Sequence, residues 1–265
     1  MNTSIFADAH SHLDQFEASE IPGILRRAEE VGVNTIVVAG VTVQSSIDAI
    51  ALAEQNHNIF AGIGIQPSDV TRQIDEGLYR ELTTLAQSSR KVVCVSEIGL
   101  DFTPGMPDIG LQTQAFRAQI ALALDLGLPV IFHSRERPGH QEDHLETLRV
   151  LDEEKVKEVG GAFHYFMWDP TIANKCFEMN LLVSLSKTLL RLPHLQQIVK
   201  DLPLNKLVLE TDSYPQTFKK NRSRWTEPKD IPSIAAKVAE LKQLTVEDVA
   251  NVTTSNLLEL LHLSR

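Results

Sequence analysis

Apolar residues along the 265-residue chain alternate between two spacings almost from end to end. Short β-branched or otherwise apolar runs at 5–9, 35–39, 59–63, 92–98, 129–133, 161–166, 181–186 and 206–211 read as buried strands. Between them lie longer stretches with helical spacing. In the first, Ile21, Ile24, Leu25, Ala28 and Val31 return at a helical period, and Gly32 supplies a stop. Leu111, Phe116, Ile120 and Leu124 form another stripe, closed by Gly127 and Pro129, while Thr42 or Gln44 can open the helix carrying Ile47, Ile50 and Leu52. Regular alternation of strand and helix implies parallel strands, because parallel neighbours need a crossover connection.

Eight such units predict an α/β chain closed into a (β/α)₈ barrel of the TIM type, with the helices outside; the chain length is close to the ~250 residues usual for that fold. An open, doubly wound sheet would carry a Gly-rich phosphate turn after its first strand, and Asp8-Ala9-His10-Ser11-His12 has no glycine. A last helical stretch at 246–263, with Val249, Val252, Leu257, Leu260 and Leu261, is expected to pack against the outside of the barrel. No linker, low-complexity tract or internal repeat divides the chain, so residues 1–265 are expected to form one domain.

Composition adds exclusions. Hydrophobic residues at 43% and charged residues at 23% describe an ordinary globular chain. No apolar run approaches the roughly 18 residues of a membrane helix, and the N-terminus has no basic start followed by an apolar stretch. Cys94 and Cys176 are too few for a disulfide framework or a thiolate metal site. Free buried thiols, a cytoplasmic location and no membrane partner are therefore expected. A net charge of −10 argues against nucleic-acid binding driven by bulk charge. Bound cations and a local concentration of basic residues would both soften that objection.

Candidate chemistry collects at the strand ends. His10 and His12 close the first run, and in an extended chain residues two apart point to one side. Glu97, His133, His164 and Asp212 stand at the ends of four further runs. Carboxyl ends of barrel strands converge on one face, where active sites of this fold sit. Four imidazoles and two carboxylates there would make an N/O site suited to zinc, manganese or a similar divalent ion.

With the motifs His-x-His-x-Asp at 10–14, Glu-Ile-Gly-Leu-Asp at 97–101, His-Ser-Arg at 133–135, His164 and Glu-Thr-Asp at 210–212, the chain resembles the TatD family of metal-dependent deoxyribonucleases over nearly its whole length. The resemblance implies an amidohydrolase-like barrel, two divalent ions (zinc, manganese or magnesium) and hydrolysis of phosphodiester bonds, DNA being the expected partner. It further implies that His10, His12 and Asp212 hold one ion, that His133 and His164 hold the other, and that Glu97 bridges them. Asp212 is the candidate to take the proton of the attacking water, with Glu97 beside it in the catalytic pair. Asp14 and Glu210 are expected to support ligands from behind, with a plain structural role equally open for Glu210. No oligomer is predicted.

Other residues carry weaker signals. Lys219, Lys220, Arg222 and Arg224 follow Asp212 closely, and Arg135 follows His133 by two; together they suggest a basic rim for a polyanion, against the plain alternative of a solvated basic loop. Tyr165, Phe166, Trp168, Tyr214 and Trp225 lie near the same ends, able to stack on bases or to pack beneath loops. His140 and His144 lack the Glu that a zinc-protease helix needs after its first His (Gln141 stands there) and are expected on a solvated helix face. His57, His194 and His262 are expected to be structural or exposed. Two segments depart from the family pattern: Gly64-Ile65-Gln66-Pro67 in place of Gly-x-His-Pro, and Tyr165-Phe166-Met167-Trp168 in place of Cys-Phe-Ser-Gly. Both touch the expected substrate wall, with Gln66 counted as substrate-binding. A barrel hydrolase acting instead on an ester, lactone, amide or aminoacyl ester therefore stays open, as does a non-catalytic scaffold, against which the intact ligand set argues.

Overall fold

Helix starts follow local chemistry. Thr42 accepts a hydrogen bond from the Ser45 amide while the Ser45 side chain receives the Thr42 amide, so this reciprocal cap opens helix α2 (Val43–Gln55) at the first of its two candidate positions. Asp75, Asp108 and Asp169 cap α3 (Glu76–Gln87), α4 (Ile109–Leu126) and α6 (Pro170–Glu178) through their carboxylates. Gly127, in the left-handed region at φ 65°, ends α4. The remaining helices are α1 (Ile21–Glu29), α5 (Glu142–Glu153), α7 (Pro193–Asp201), α8 (Ile231–Lys242) and α9 (Val246–Leu260). Among the described residues, no helix is long and apolar enough to cross a membrane.

The computed structural model describes residues 5–263, so both extremities of the expected 1–265 domain, including the first four residues of the N-terminal stretch, lie outside it. Its strands are β1 (Phe6–Ser11), β2 (Val33–Ala39), β3 (Ile59–Ile63), β4 (Val92–Asp101), β5 (Val130–Arg135), β6 (Gly161–Phe163), β7 (Leu181–Leu185) and β8 (Leu207–Leu209). They pair in sequence order, every pair parallel, and form a nearly closed barrel surrounded by helices. The seam between β8 and β1 lies at the site-bearing residues themselves. The Asp212 amide donates to the His10 carbonyl at 2.9 Å, and the His12 amide to the Ser213 carbonyl at 2.8 Å. Below them the buried Asp8 carboxylate receives the Thr211 amide at 2.8 Å and meets the Thr211 hydroxyl at 2.5 Å.

Two apolar layers hold the barrel. The larger lies between sheet and helices; the smaller gathers Ala7, Val37, Val93, Ile131, Ala162, Leu182 and Val208 from around the ring, which fills the interior. Leu257 and Leu261 join this inner cluster. Helix α9 therefore covers the amino-terminal mouth of the barrel with its last turns, while Val249 and Ala250 near its start join the outer layer. Its Thr254 hydroxyl donates to the Ile5 carbonyl and its Asn256 amide to the Leu204 and Leu207 carbonyls, all at or just before strand starts.

Two ladders are irregular where it matters. The β1–β2 register shifts between Asp8 and Ser11, and the β4–β5 register shifts between Val95 and Ile98. Such irregularities re-aim side chains next to active sites. On β1 the shift lets Ala9 fill the interior while its neighbour His10 reaches the polar end. On β4 it brackets Glu97. Just beyond, Gly99 has φ 147°, and a Cβ there would stand 1.9 Å from the His133 carbonyl oxygen. Gly99→Ala should therefore cost upwards of about 3 kcal/mol, since strained backbone and a steric clash combine. Urea denaturation measures this; a midpoint equal to that of the parent chain would contradict the close approach of β4 to β5.

Candidate functional site

Glu97, only 5% exposed, sits at the centre of the carboxyl-terminal face. Its Oε2 is 3.5 Å from His10 Nε2 and 3.7 Å from His12 Nε2; its Oε1 is 3.0 Å from His133 Nδ1 and 3.9 Å from His164 Nε2. Asp212 Oδ1 lies 3.4 Å from His12 Nε2. All six residues expected at the strand ends are thus brought together. His10 Nε2 and His12 Nε2 face each other at 3.2 Å, a contact that one proton, or one shared cation, is needed to satisfy. Among the described residues, two groups of three offer ligand atoms within 4.8 Å of one another: His10, His12 and Asp212, and His10, Glu97 and His164. His133 stands outside both groups; its Nδ1 meets Glu97, while its Nε2 is held by Asp101 Oδ2 at 3.2 Å.

Neighbours fix these rings. Glu210, fully buried, accepts the Tyr165 amide at 2.7 Å and faces His164 Nδ1 at 3.1 Å, so a proton on Nδ1 leaves Nε2 directed at the cluster. His12 Nδ1 is 3.3 Å from the Ala39 carbonyl. Asp14, by contrast, makes no hydrogen bond to His12; its half-buried carboxyl is pushed up to about 6 by desolvation, against the pull of His12. Asp101 is the supporting residue that patterning along the chain does not single out, although it shares strand parity with Glu97. It receives the Thr103 amide and hydroxyl at 2.9 and 2.6 Å while holding His133. Tyr165, directly after His164, and Asp212 both take left-handed backbone (φ 55° and 49°). For a tyrosine this is costly, and such strain persists where surrounding contacts impose it.

The electrostatics favour ionised carboxylates despite burial. Burial raises the Glu97 carboxyl, but His164, His10 and His133 outweigh it and hold it well below the usual range. At Asp212 burial is likewise outweighed, by the His12 hydrogen bond and the charge of His164, and the carboxyl falls to about 2. Burial opposes charge on His164 too, yet Glu210 and Glu97 raise it to about 10. His10 is lowered by burial and by His164, which keeps a neutral nitrogen at the centre.

A cavity of about 470 Å³ opens above the cluster, lined in part by Gln66, Arg135, Tyr165, Trp168 and Tyr214. The Gln66 amide is held by Asp69 at 2.5 Å, and Arg135 is exposed. Phe166 turns away into the core, and Trp225 packs near Phe16 with ring centroids 6.1 Å apart. Lys219, Lys220 and Arg224 line an adjoining cavity. Arg222 does not: its guanidinium is tied to Glu20 and Glu227, both at 2.7 Å, and stacks over Trp225. A solvated face describes His140 alone. His144 is fully buried, because the Ser134 hydroxyl at the end of β5 meets its Nδ1 at 2.8 Å and Trp168 covers its ring; α5 begins only at Glu142, so the two histidines share no helix face. His57, His194 and His262 are exposed, and Cys94 and Cys176 are free and buried.

Glu210→Gln replaces an anionic partner of His164 with a neutral amide of similar size. Metal affinity should fall about 10–100-fold with the fold retained, as is usual when a hydrogen-bond partner of a ligating His is removed. Chelator competition with circular dichroism as a fold control measures this; unchanged affinity would reduce Glu210 to a packing role.

The model of the family described as TatD related DNase matches residues 7–262. The metal-dependent hydrolase YabD of Bacillus subtilis is 32% identical over 255 residues, covering 94% of this chain and 96% of the relative. The 3'-5' ssDNA/RNA exonuclease TatD of Edwardsiella piscicida is 28% identical, covering 93% and 95%. The crystal structure of the TatD homologue YjjV from Escherichia coli superposes with a TM-score of 0.86 at 25% identity, covering 98% of both chains. With this match along the chain and two candidate metal groups at the barrel mouth, the chain belongs to the TatD family of metal-dependent hydrolases.

Proposed function

We propose that this chain is a nuclease that cleaves phosphodiester bonds of DNA using two divalent ions, zinc, manganese or magnesium. His10, His12 and Asp212 would hold one, His133 and His164 the other, and Glu97 would be shared. The observation that carries the reading is the division of Glu97, with one oxygen toward His10 and His12 and the other toward His133 and His164. A donor set of nitrogens and carboxylate oxygens without thiolate fits ions of this class. When bound, such ions supply Lewis-acid polarisation of the phosphodiester and activation of a water.

The chain's own residues do the rest. Asp212 has a side chain 20% exposed against 6% for Glu97, so it is the more accessible of the two cluster carboxylates that line the cavity. Held ionised, it is available to take a proton at its carboxylate. Arg135, exposed on the cavity wall, offers a guanidinium fork to phosphate oxygens. Gln66 can only donate and accept hydrogen bonds, where an imidazole could also carry charge. The exonuclease name of the Edwardsiella piscicida relative supports a nucleic-acid substrate.

Asp212→Asn should keep the fold and lower kcat by about 10²–10⁴-fold, the usual range for removal of a general base. The assay is kcat/KM on single-stranded DNA, RNA and a panel of small carboxylic esters and lactones, with metal-loaded enzyme. Faster turnover of the esters than of any nucleic acid would overturn the nuclease reading. On the same panel, Gln66→His should raise activity on DNA relative to the esters with metal content unchanged. A constant ratio would remove position 66 from the substrate wall.

A further inference from the structure

Beside the cavity over the metal residues lies a larger one, about 910 Å³, bounded by the segments that follow β7 and β8. Tyr165, Asp212 and Tyr214 line both, so the two adjoin. The larger one is basic in an otherwise acidic chain. Arg191, Lys220 and Arg224 are exposed on its wall and form no salt bridge among the described residues. Lys187 is neutralised by Asp230 at 2.8 Å, and among the described residues Asp212 is the one carboxylate that lines the wall. Phe218 also lines it, 69% exposed, with Lys219 Nζ 5.8 Å from its ring centroid.

This wall is built. Buried Glu227 gathers Arg27, Arg222 and Lys229; Arg222 stacks on Trp225 with its guanidinium carbon 4.4 Å from the ring centroid; and Gln216 Oε1 receives both the Thr226 amide and Lys219 Nζ. The segment is pinned from within, so its outward side chains have a fixed base. An exposed aromatic ring among unpaired cations is the arrangement that holds single-stranded nucleic acid, the ring stacking on a base and the cations tracking phosphates. A duplex keeps its bases stacked on each other and offers no free face to Phe218.

We propose that this second cavity is a binding arm for the nucleotides flanking the scissile bond of a single-stranded nucleic acid, with Phe218 stacking on a base and Arg191, Lys220 and Arg224 meeting its phosphates. The inference rests on the nuclease reading for its substrate and adds the place where the rest of the strand lies.

The test uses metal-loaded enzyme and two readouts. Binding of a fluorescent phosphorothioate oligothymidylate octamer is followed by anisotropy against salt. Turnover is compared on bis(p-nitrophenyl) phosphate, a thymidylate dinucleotide and the octamer. For the parent chain, kcat/KM should rise at least about tenfold from dinucleotide to octamer, in line with base stacking on aromatic side chains. Phe218→Ala should lower octamer affinity about tenfold and erase most of that length dependence. Replacing Arg191, Lys220 and Arg224 together with Gln should reduce the log–log salt slope by about 2, at ~0.7 for each phosphate no longer neutralised. Gln at Arg90 and Lys157, exposed and placed just before the starts of β4 and β6, away from the carboxyl-terminal strand ends, should change neither. Phosphodiester turnover independent of length and of Phe218 overturns the arm and leaves the nuclease reading standing. Octamer binding that depends on these residues, without turnover of any phosphodiester, keeps the arm and removes that reading. Neither binding nor turnover removes both.

Discussion

A carboxylate buried among four imidazoles organises the functional end of this barrel. Removing the Glu97 charge from water is costly, and it is stabilised there only because positive or proton-bearing groups approach both of its oxygens. Each of those groups must be aimed, and each is aimed by something else. Glu210 turns His164, Asp101 holds His133, the Ala39 carbonyl orients His12, and the seam between β8 and β1 brings Asp212 alongside. The close approach of β4 to β5 at Gly99 is part of the same constraint, because it sets His133 beside the strand that carries Glu97.

Much of this is legible in the chain because a parallel barrel converts position along a strand into position in space. Residues at the ends of runs far apart in sequence converge once the runs are recognised as parallel, and His10, Glu97, His133, His164 and Asp212 do so. Strand parity is a weaker guide. The register shifts in β1 and β4 let adjacent positions such as Ala9 and His10 both serve the interior, and no alternation rule contains them. Asp101 is hidden for a related reason: its role depends on the neighbouring strand's register.

Charged residues near the mouth are harder to read than the cluster. Arg222 belongs by sequence with Lys219, Lys220 and Arg224, yet Glu20 and Glu227, the first some 200 positions earlier in the chain, claim its guanidinium. By local pattern His144 reads as solvated, and Ser134 and Trp168 draw it inside. Helix α9 lies over the amino-terminal mouth because interior residues at the strand starts need a cover, a demand that its own amphipathic stripe does not reveal. In each case a partner distant in sequence decides the outcome, and local pattern carries no record of that partner.

The sharing of Glu97 between two ions is the claim on which the chemistry turns, and metal stoichiometry tests it most directly. Chelator-stripped protein titrated with manganese, with bound metal counted by elemental analysis, should take up two ions per chain, and Glu97→Ala, checked for native fold, should retain one or none. Two ions retained at parental affinity in that variant would contradict a shared carboxylate and reassign the centre to ligands that do not include Glu97.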